Sequence, residues 1–429
     1  MKTTFSAVQL EDPDVRESEK ILRTCVHCGF CTATCPTYVL LGDELDSPRG
    51  RIYLIKNMLE EGRPADAKTV KHIDRCLSCL SCMTTCPSDV HYMHLVDHAR
   101  THIERTYQRP LVERLMRDVL ATVLPRPGLF RLALMGATVS RPAAPLFKGR
   151  MRAMLELAPK GGPKAPSSAA KPQVHKADGA RRARVALLAG CAQQVLAPEI
   201  NDATIRLLTR HGVEVVIASK AGCCGALTHH MGKETLAHRS VKANIDAWLA
   251  AHAEEPLDAI VINASGCGTT VKDYGFMLRE DAAYAEKAAT VAALSKDVTE
   301  FLVELGLQPA QIDPALSVTY HSACSMQHGQ KLKTPPTQLL RDAGFKVKEP
   351  AEAHLCCGSA GIYNIMEPEI SGQLKARKVK QLERTRPQVI ATGNIGCITQ
   401  LRTGTEVPVC HTVELLDWAT GGPKPAALG

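Results

Sequence analysis

The alternation of apolar and polar positions divides the chain into three unlike parts. Before residue 100 it yields one helical segment, predicted from about Arg51 to Glu61 in RIYLIKNMLEEG and set between two cysteine-dense runs. Next, LVERLMRDVLATVL and LFRLALMGATV carry apolar residues at helical spacing, broken by Pro125, Pro127 and Pro142. The text PKGGPKAPSSAAKPQVHKADGARR then loses periodicity. Its Pro, Gly, Ser, Ala and Lys content cannot bury enough apolar surface to fold alone, which predicts a flexible linker and a domain boundary near residue 180. Beyond it, short apolar runs that read as strands (RVALLAGC, VEVVIA, DAIVINASGC, then LSVTYHSAC, FKVKE, QVIATGNIGC) alternate with helical stretches. That rhythm argues for α/β layers. Every cysteine group there falls at or just after the carboxyl end of a predicted strand, where open α/β sheets place their ligands.

Those cysteines also expose an internal repeat. Cys191, the pair Cys223-Cys224-Gly225 and Cys267 are followed by Cys324, Cys356-Cys357-Gly358 and Cys397. The first interval is 32 residues in both copies, and the second is 43 in one and 40 in the other. Flanking text repeats too: RLLTRHGVEVVIASKAGCCG matches QLLRDAGFKVKEPAEAHLCCG, and DVTEFLVEL matches HTVELLDWA. A duplicated unit is the simplest account.

With 429 residues, 45% hydrophobic and 22% charged, the chain has the composition of a soluble globular protein of more than one domain. Its 17 cysteines equal its 17 aromatic residues, so the thiols demand an explanation. No secretory leader opens the sequence, and no apolar run has the ~18–20 residues of a spanning helix. In a reducing compartment such thiols read as metal ligands or redox groups rather than disulfides. The net charge of +8 is regional: residues 100–184 alone carry +13. This belt fits an anionic membrane face or an acidic partner, and its blander reading is a solvated connector. Few aromatic residues interleave it, which argues against nucleic acid.

Residues 25–36, CVHCGFCTATCP, and 76–87, CLSCLSCMTTCP, both follow C-x2-C-x2-C-x3-C-P, the spacing of two-cluster bacterial ferredoxins, in which the fourth cysteine of each run serves the other cluster. The predicted ligand sets are therefore Cys25, Cys28, Cys31 and Cys86 for one 4Fe–4S cluster, and Cys76, Cys79, Cys82 and Cys35 for the other. Pro36 and Pro87 turn the chain away from each site, and Gly29 permits close backbone approach. Paired zinc knuckles are the rival, but zinc does not require this spacing twice. His27, His72, His91 and His94 lie near these runs and read as solvated or core histidines.

In the duplicated half, Cys191, Cys223, Cys224 and Cys267 form one candidate metal set, and Cys324, Cys356, Cys357 and Cys397 another, for an iron–sulfur cluster or zinc. Adjacent cysteines reach one pocket only through irregular backbone, which Gly225 and Gly358 allow. Cys410 falls outside the repeat and reads as a buried small hydrophobe. The predicted architecture is α+β overall. A helical dicluster ferredoxin-type domain (1–100) precedes a basic helical connector and flexible linker (101–184) and a duplicated α/β cysteine-rich domain (185–305 and 306–429). No nucleotide-binding glycine loop and no nucleophile elbow occur. Two-electron carbon oxidation needs a flavin or nicotinamide, so that step belongs to another subunit.

The Cys-Cys-Gly modules resemble the cysteine-rich domain of heterodisulfide reductase and of the iron–sulfur subunits of glycolate, anaerobic glycerol-3-phosphate and lactate-oxidising systems. That family closes its signature with C-x-x-C. Here the partner thiol is missing in both copies: Cys267 has Ala264 and Thr270 three residues either side, and Cys397 has Asn394 and Gln400. Together with DSPRGRIYLIK, AGCCGA, HLCCGSAG and NIGC, the whole from about residue 20 to 418 resembles the iron–sulfur subunits of glycolate oxidase (glycolate dehydrogenase). The resemblance implies a non-substrate-binding electron-transfer subunit with two 4Fe–4S clusters. FAD would sit only on partner subunits that oxidise glycolate to glyoxylate, or D-lactate, with electrons passing to a quinone or other acceptor. It further implies peripheral attachment at the cytoplasmic face of the inner membrane. The alternatives are a heterodisulfide-reductase-like catalytic cluster in the Cys-Cys-Gly half, or the iron–sulfur subunit of an anaerobic glycerol-3-phosphate or lactate dehydrogenase. A zinc-stabilised scaffold is the non-redox reading.

Overall fold

The computed structural model describes residues 1–159, 161–312 and 314–429. Residues 160, in the expected linker, and 313, in the expected second repeat, lie outside the described residues. In the N-terminal part, helices Pro13–Thr24, Pro48–Glu60 and Tyr92–Thr106 enclose a core of Leu22, Ile55, Met58, Ile73, Leu95 and Val96, with Cys25, Cys76 and Cys82 at its edge. The helix expected from Arg51 begins earlier, at Pro48. Ser47 caps it by accepting from Gly50 N, and proline is well placed at a first helical position because no partner for its nitrogen is needed there.

The connector forms helices Leu111–Val123, Pro127–Ser140 and Gly149–Leu157, interrupted where the prolines require. The expected flexible linker is more ordered than its composition implies. Residues Gln173–His175 form strand β1, which pairs antiparallel with the edge of the first sheet, and Ala169 is buried in the core. Backbone hydrogen bonding to an open sheet edge needs no side-chain signature, so composition alone does not reveal it.

The remaining strands are β2 (Ala183–Leu187), β3 (Val213–Ile217), β4 (Ala259–Ile262), β5 (Ser295–Asp297), β6 (Ser317–Tyr320), β7 (Lys346–Lys348), β8 (Val389–Thr392) and β9 (Val409–His411). Among the described residues these form two sheets, with orders β1-β3-β2-β4-β5 and β7-β6-β8-β9. Apart from β1, all pairings are parallel, and β3-β2-β4-β5 corresponds strand for strand to β7-β6-β8-β9. The duplication is therefore one of topology as well as of text. One hydrophobic core runs through both copies, joining Val185, Val215 and Val261 to Val318, Ile390 and Val409. Cys410, fully buried in β9, belongs to it, and burial pushes its thiol up to about 12.

Candidate metal centres

Both ferredoxin-type runs fold into the same unusual loop. His27 and Gly29 in the first, and Ser78 and Leu80 in the second, take positive φ, between +48° and +87°. For the non-glycine residues such backbone costs about 1–2 kcal/mol each, so the loops hold a shape that local propensity does not favour. The result is two cavities. Cys25, Cys28, Cys31, Cys82 and Cys86 line one, and Cys35, Cys76, Cys79 and Cys82 line the other, so that Cys82 borders both. Each predicted ligand set thus converges on one cavity, with Cys35 and Cys86 crossing over to the other run's cysteines.

The chemistry of these linings suits an anionic sulfur-bound group. No carboxylate lines either cavity among the described residues, while Arg49 reaches the first and Arg51 the second. Burial pushes the Cys31 thiol up to about 11 and holds Cys82 well above its ordinary value, as neighbouring thiols reinforce. Crowded buried thiols resist ionisation until a metal supplies positive charge; a coordinating thiol is then deprotonated outright.

Sequence reasoning missed the polar network behind the second cavity. Arg51 is buried and donates to His72 O (2.7 Å), Thr37 Oγ1 (3.0 Å) and the Asp46 carboxylate (3.2 Å), with Nη1 3.7 Å from Cys35 Sγ. Asp46 also receives Arg75 at 2.9 Å and lies 2.9 Å from His72 Nδ1. Burial works against the guanidinium charge, but Cys76, Tyr92, Cys35 and Asp46 together hold its pKa above the ordinary value. Tyr92 donates its hydroxyl to Cys76 Sγ at 3.7 Å. The signal lay within DSPRGR, whose Asp46 and Arg51 are the buried pair.

The Cys-Cys-Gly modules close similarly. Gly225 and Gly358 take φ of +86° and +88°, and their backbone N–H groups donate to Cys223 Sγ (3.5 Å) and Cys356 Sγ (3.4 Å). In the first copy the neighbouring Cys191 thiol above all, and Cys224 with it, draw Cys223 well below its ordinary pKa, while Cys223, Cys267 and burial raise Cys224. In the second, Cys324 and Cys356 sulfurs lie 3.8 Å apart and Cys357 and Cys397 3.5 Å apart. The Cys357 hydrogen bond, against burial and with help from His321 and Asn394, draws Cys397 down to about 5.

The second set abuts the ferredoxin-type domain. Leu77 and Cys79 share one apolar cluster with Cys356, Tyr363 and Leu374, with Cys324 at its rim, and Tyr363 donates to Arg75 O at 3.0 Å. Charge repulsion from Cys356 adds to burial in raising Cys79. The first set is joined to the same loop by polar groups. Arg100 donates to Cys76 O (2.7 Å) and Ser78 Oγ (2.5 Å) and lies 3.5 Å from Asp97, which meets His229 at 3.4 Å and His230 at 3.1 Å, just beyond Gly225. Of the four N-terminal histidines, His72 is buried against Asp46, and His94 stacks on Phe276 and meets Asp273 at 2.9 Å. His27 lines the first cavity, and His91 packs beside His94.

Comparison with known proteins agrees with this layout. Residues 24–90 match the 4Fe-4S dicluster domain family, and residues 185–272 and 318–402 each match the cysteine-rich domain family. The chain is 43% identical to the glycolate oxidase iron-sulfur subunit of Escherichia coli over 98% of its own length and 99% of that protein's. The chain belongs to the glycolate oxidase iron–sulfur subunit family. A Bacillus subtilis protein named "Probable glycolate oxidase iron-sulfur subunit" is 33% identical over 95% of this chain and 96% of its own. Lactate utilization protein A of Oceanobacillus iheyensis is 28% identical, spanning 54% of this chain and 96% of its own. A crystal structure of a hypothetical protein from Helicobacter pylori shares the fold, with a TM-score of 0.53 at 11% identity, covering 97% of this chain and 74% of that one. A member of this family is part of an oxidoreductase complex, and its ferredoxin-type domain makes it an electron-transfer component.

Proposed function

We propose that this chain serves FAD-binding partner subunits that oxidise glycolate, or another small 2-hydroxy acid such as D-lactate, and delivers their electrons towards a quinone or other acceptor. Cys25, Cys28, Cys31 and Cys86 would hold one 4Fe–4S cluster, and Cys76, Cys79, Cys82 and Cys35 the other. The two Cys-Cys-Gly sets would hold further iron–sulfur groups. When bound, such clusters supply one-electron transfer, which bridges a two-electron flavin and a separate acceptor.

The observation that carries the reading is the run of thiol-lined sites in contact: two cavities sharing Cys82 at their boundary, then Cys79 against Cys356 and Cys324. The chain's other residues prepare these sites. Arg51 and Tyr92 direct N–H and O–H groups at Cys35 and Cys76, compensating negative charge on sulfur in a setting water does not reach. Anaerobic co-purification tests the assignment: a flavoprotein should accompany the chain and reduce an artificial acceptor with glycolate or D-lactate. A chain that purifies without flavoprotein, or a complex active only on glycerol 3-phosphate, overturns it.

Peripheral attachment to the cytoplasmic membrane face is part of the proposal. No helix among the described residues is long and apolar enough to cross a membrane. The connector instead exposes Leu111, Val112, Leu115, Val119, Leu132 and Val139 beside exposed Arg114 and Arg126. Arg109 and Arg117 do not contribute, being buried against Asp74 and Met231 O. A charge-led contact should dissociate in ~1 M salt, where the Debye length is ~3 Å. Membrane retention at that salt would refute a charge-led contact.

A further inference from the structure

The two Cys-Cys-Gly modules differ in the residue three positions before their first cysteine. In the second, His321 follows the end of β6, three residues before Cys324. It is 1% exposed, and neither ring nitrogen meets hydrogen-bond geometry with any of the described residues. An imidazole so placed forfeits its hydration unless something else receives its nitrogens. One of its nitrogens lies within 4.8 Å of both Cys357 and Cys397 sulfurs. In the first copy the corresponding residue is Leu188, three before Cys191. The backbone is the same in both, since Leu188 N donates to Val261 O of β4 (3.0 Å) and His321 N to Ala391 O of β8 (2.8 Å). Only the side chain differs: Leu188 is part of the apolar core, and His321 faces the cysteines.

We propose that His321 is a nitrogen ligand to the iron–sulfur group of the second module, making its donor set Cys324, Cys356, Cys357, Cys397 and His321 while the first module remains all-cysteine. This rests on the reading that the second module holds iron. A soft-thiolate site accepts imidazole as a borderline donor, and histidine in place of cysteine raises the reduction potential of an iron–sulfur centre. The two modules would then be electronically unequal, with the more oxidising one being the module in contact with Cys79.

The test uses the full chain purified anaerobically with its clusters, in wild-type form and as His321→Leu, His321→Cys and Cys356→Ser. Pulsed paramagnetic resonance on protein carrying 15N-histidine should reveal one strongly coupled imidazole nitrogen. That coupling should vanish in His321→Leu, which copies the first module, and in His321→Cys, which should keep the iron and shift the midpoint potential downward. Iron that is present and lost in Cys356→Ser, with no strongly coupled histidine nitrogen in the wild type, would overturn the ligand assignment alone. Iron content unchanged in Cys356→Ser would overturn the underlying reading of the module as an iron site. The wild-type spectrum decides the ligand even if a variant folds poorly.

Discussion

Alanine at Gly225 and at Gly358 should have unequal effects, although the two glycines occupy matching turns. Both adopt left-handed backbone, so a Cβ costs about 1–2 kcal/mol at either place. Their surroundings separate them. At Gly358 the new atom would stand 2.7 Å from Ser371 O, 3.1 Å from Ser371 Cα and 3.2 Å from Leu374 Cβ, on the helix Pro368–Glu383. At Gly225 it would meet Ala237 O at 3.2 Å and Val241 Cγ2 at 3.4 Å, contacts that small shifts relieve. Overpacking against unyielding backbone adds about 1–3 kcal/mol at Gly358, for a total of about 2–5 kcal/mol. Gly225→Ala should stay near about 1–2 kcal/mol. Ser371 also donates its hydroxyl to Gly358 O at 2.8 Å, so any displacement of that helix disturbs the turn that aims Cys356 and Cys357. Chemical denaturation of the full chain, with iron analysis before and after, measures both quantities. Gly358→Ala should have the lower midpoint and the lower iron content. Equal destabilisation by the two substitutions would refute the claim that Ser371 backbone sets the difference.

Three further outcomes are expected. Cys35→Ala and Cys82→Ala should perturb the same spectroscopic species because both sulfurs line the second cavity, and a Cys35→Ala spectrum matching that of Cys25→Ala would show locally closed sites instead. Arg51→Leu leaves Asp46 buried with fewer partners and should cost about 3–5 kcal/mol in thermal or denaturant unfolding; a loss below about 1 kcal/mol would mean that Arg75 and His72 suffice. His229 is opposed by burial but carried above its ordinary pKa by Asp97. Its ion pair therefore contributes fully below about pH 6.5 and less as pH rises through the raised value. The melting temperature should fall across that interval in the wild type and flatten in Asp97→Asn, and an unchanged slope in the variant would remove Asp97 as the cause.

Spacing made the cysteine groups legible because residues that share one loop must be close in sequence. The crossed grouping of Cys35 and Cys86 came from the pattern of two-cluster ferredoxins, in which the fourth cysteine of each run serves the other cluster, and the repeat came from the 32-residue interval shared by its copies. What escaped notice depends on contacts between distant segments. Arg51 finds Thr37 and His72, which are 14 and 21 residues away, and nothing in the local text marks an arginine as buried. The same holds for Arg109 and Arg117, counted in the basic belt but enclosed by the fold. β1 arises from a sheet edge that only exists once β3 is in place. A lone histidine such as His321 resembles a core residue until the structure sets it beside sulfur; the contrast between HSAC and LAGC was the available clue.

The two copies meet reciprocally. Ser265 and Thr269, beside Cys267, bond to Ser325, beside Cys324, and Ser265 N donates to Gly393 O near Cys397. The helix Gln193–Leu196 after Cys191 leans on Ile395–Arg402 in turn. This is how the halves of a symmetric dimer touch, each presenting the same patch to the other. Two identical chains would be bound to carry the same residue at both sites, so any change helpful at one would be imposed on its twin. Joined in one polypeptide, the halves are released from that constraint while retaining the seam. Leucine can then stay where only packing is needed, and histidine can stand at the matching place in the other half.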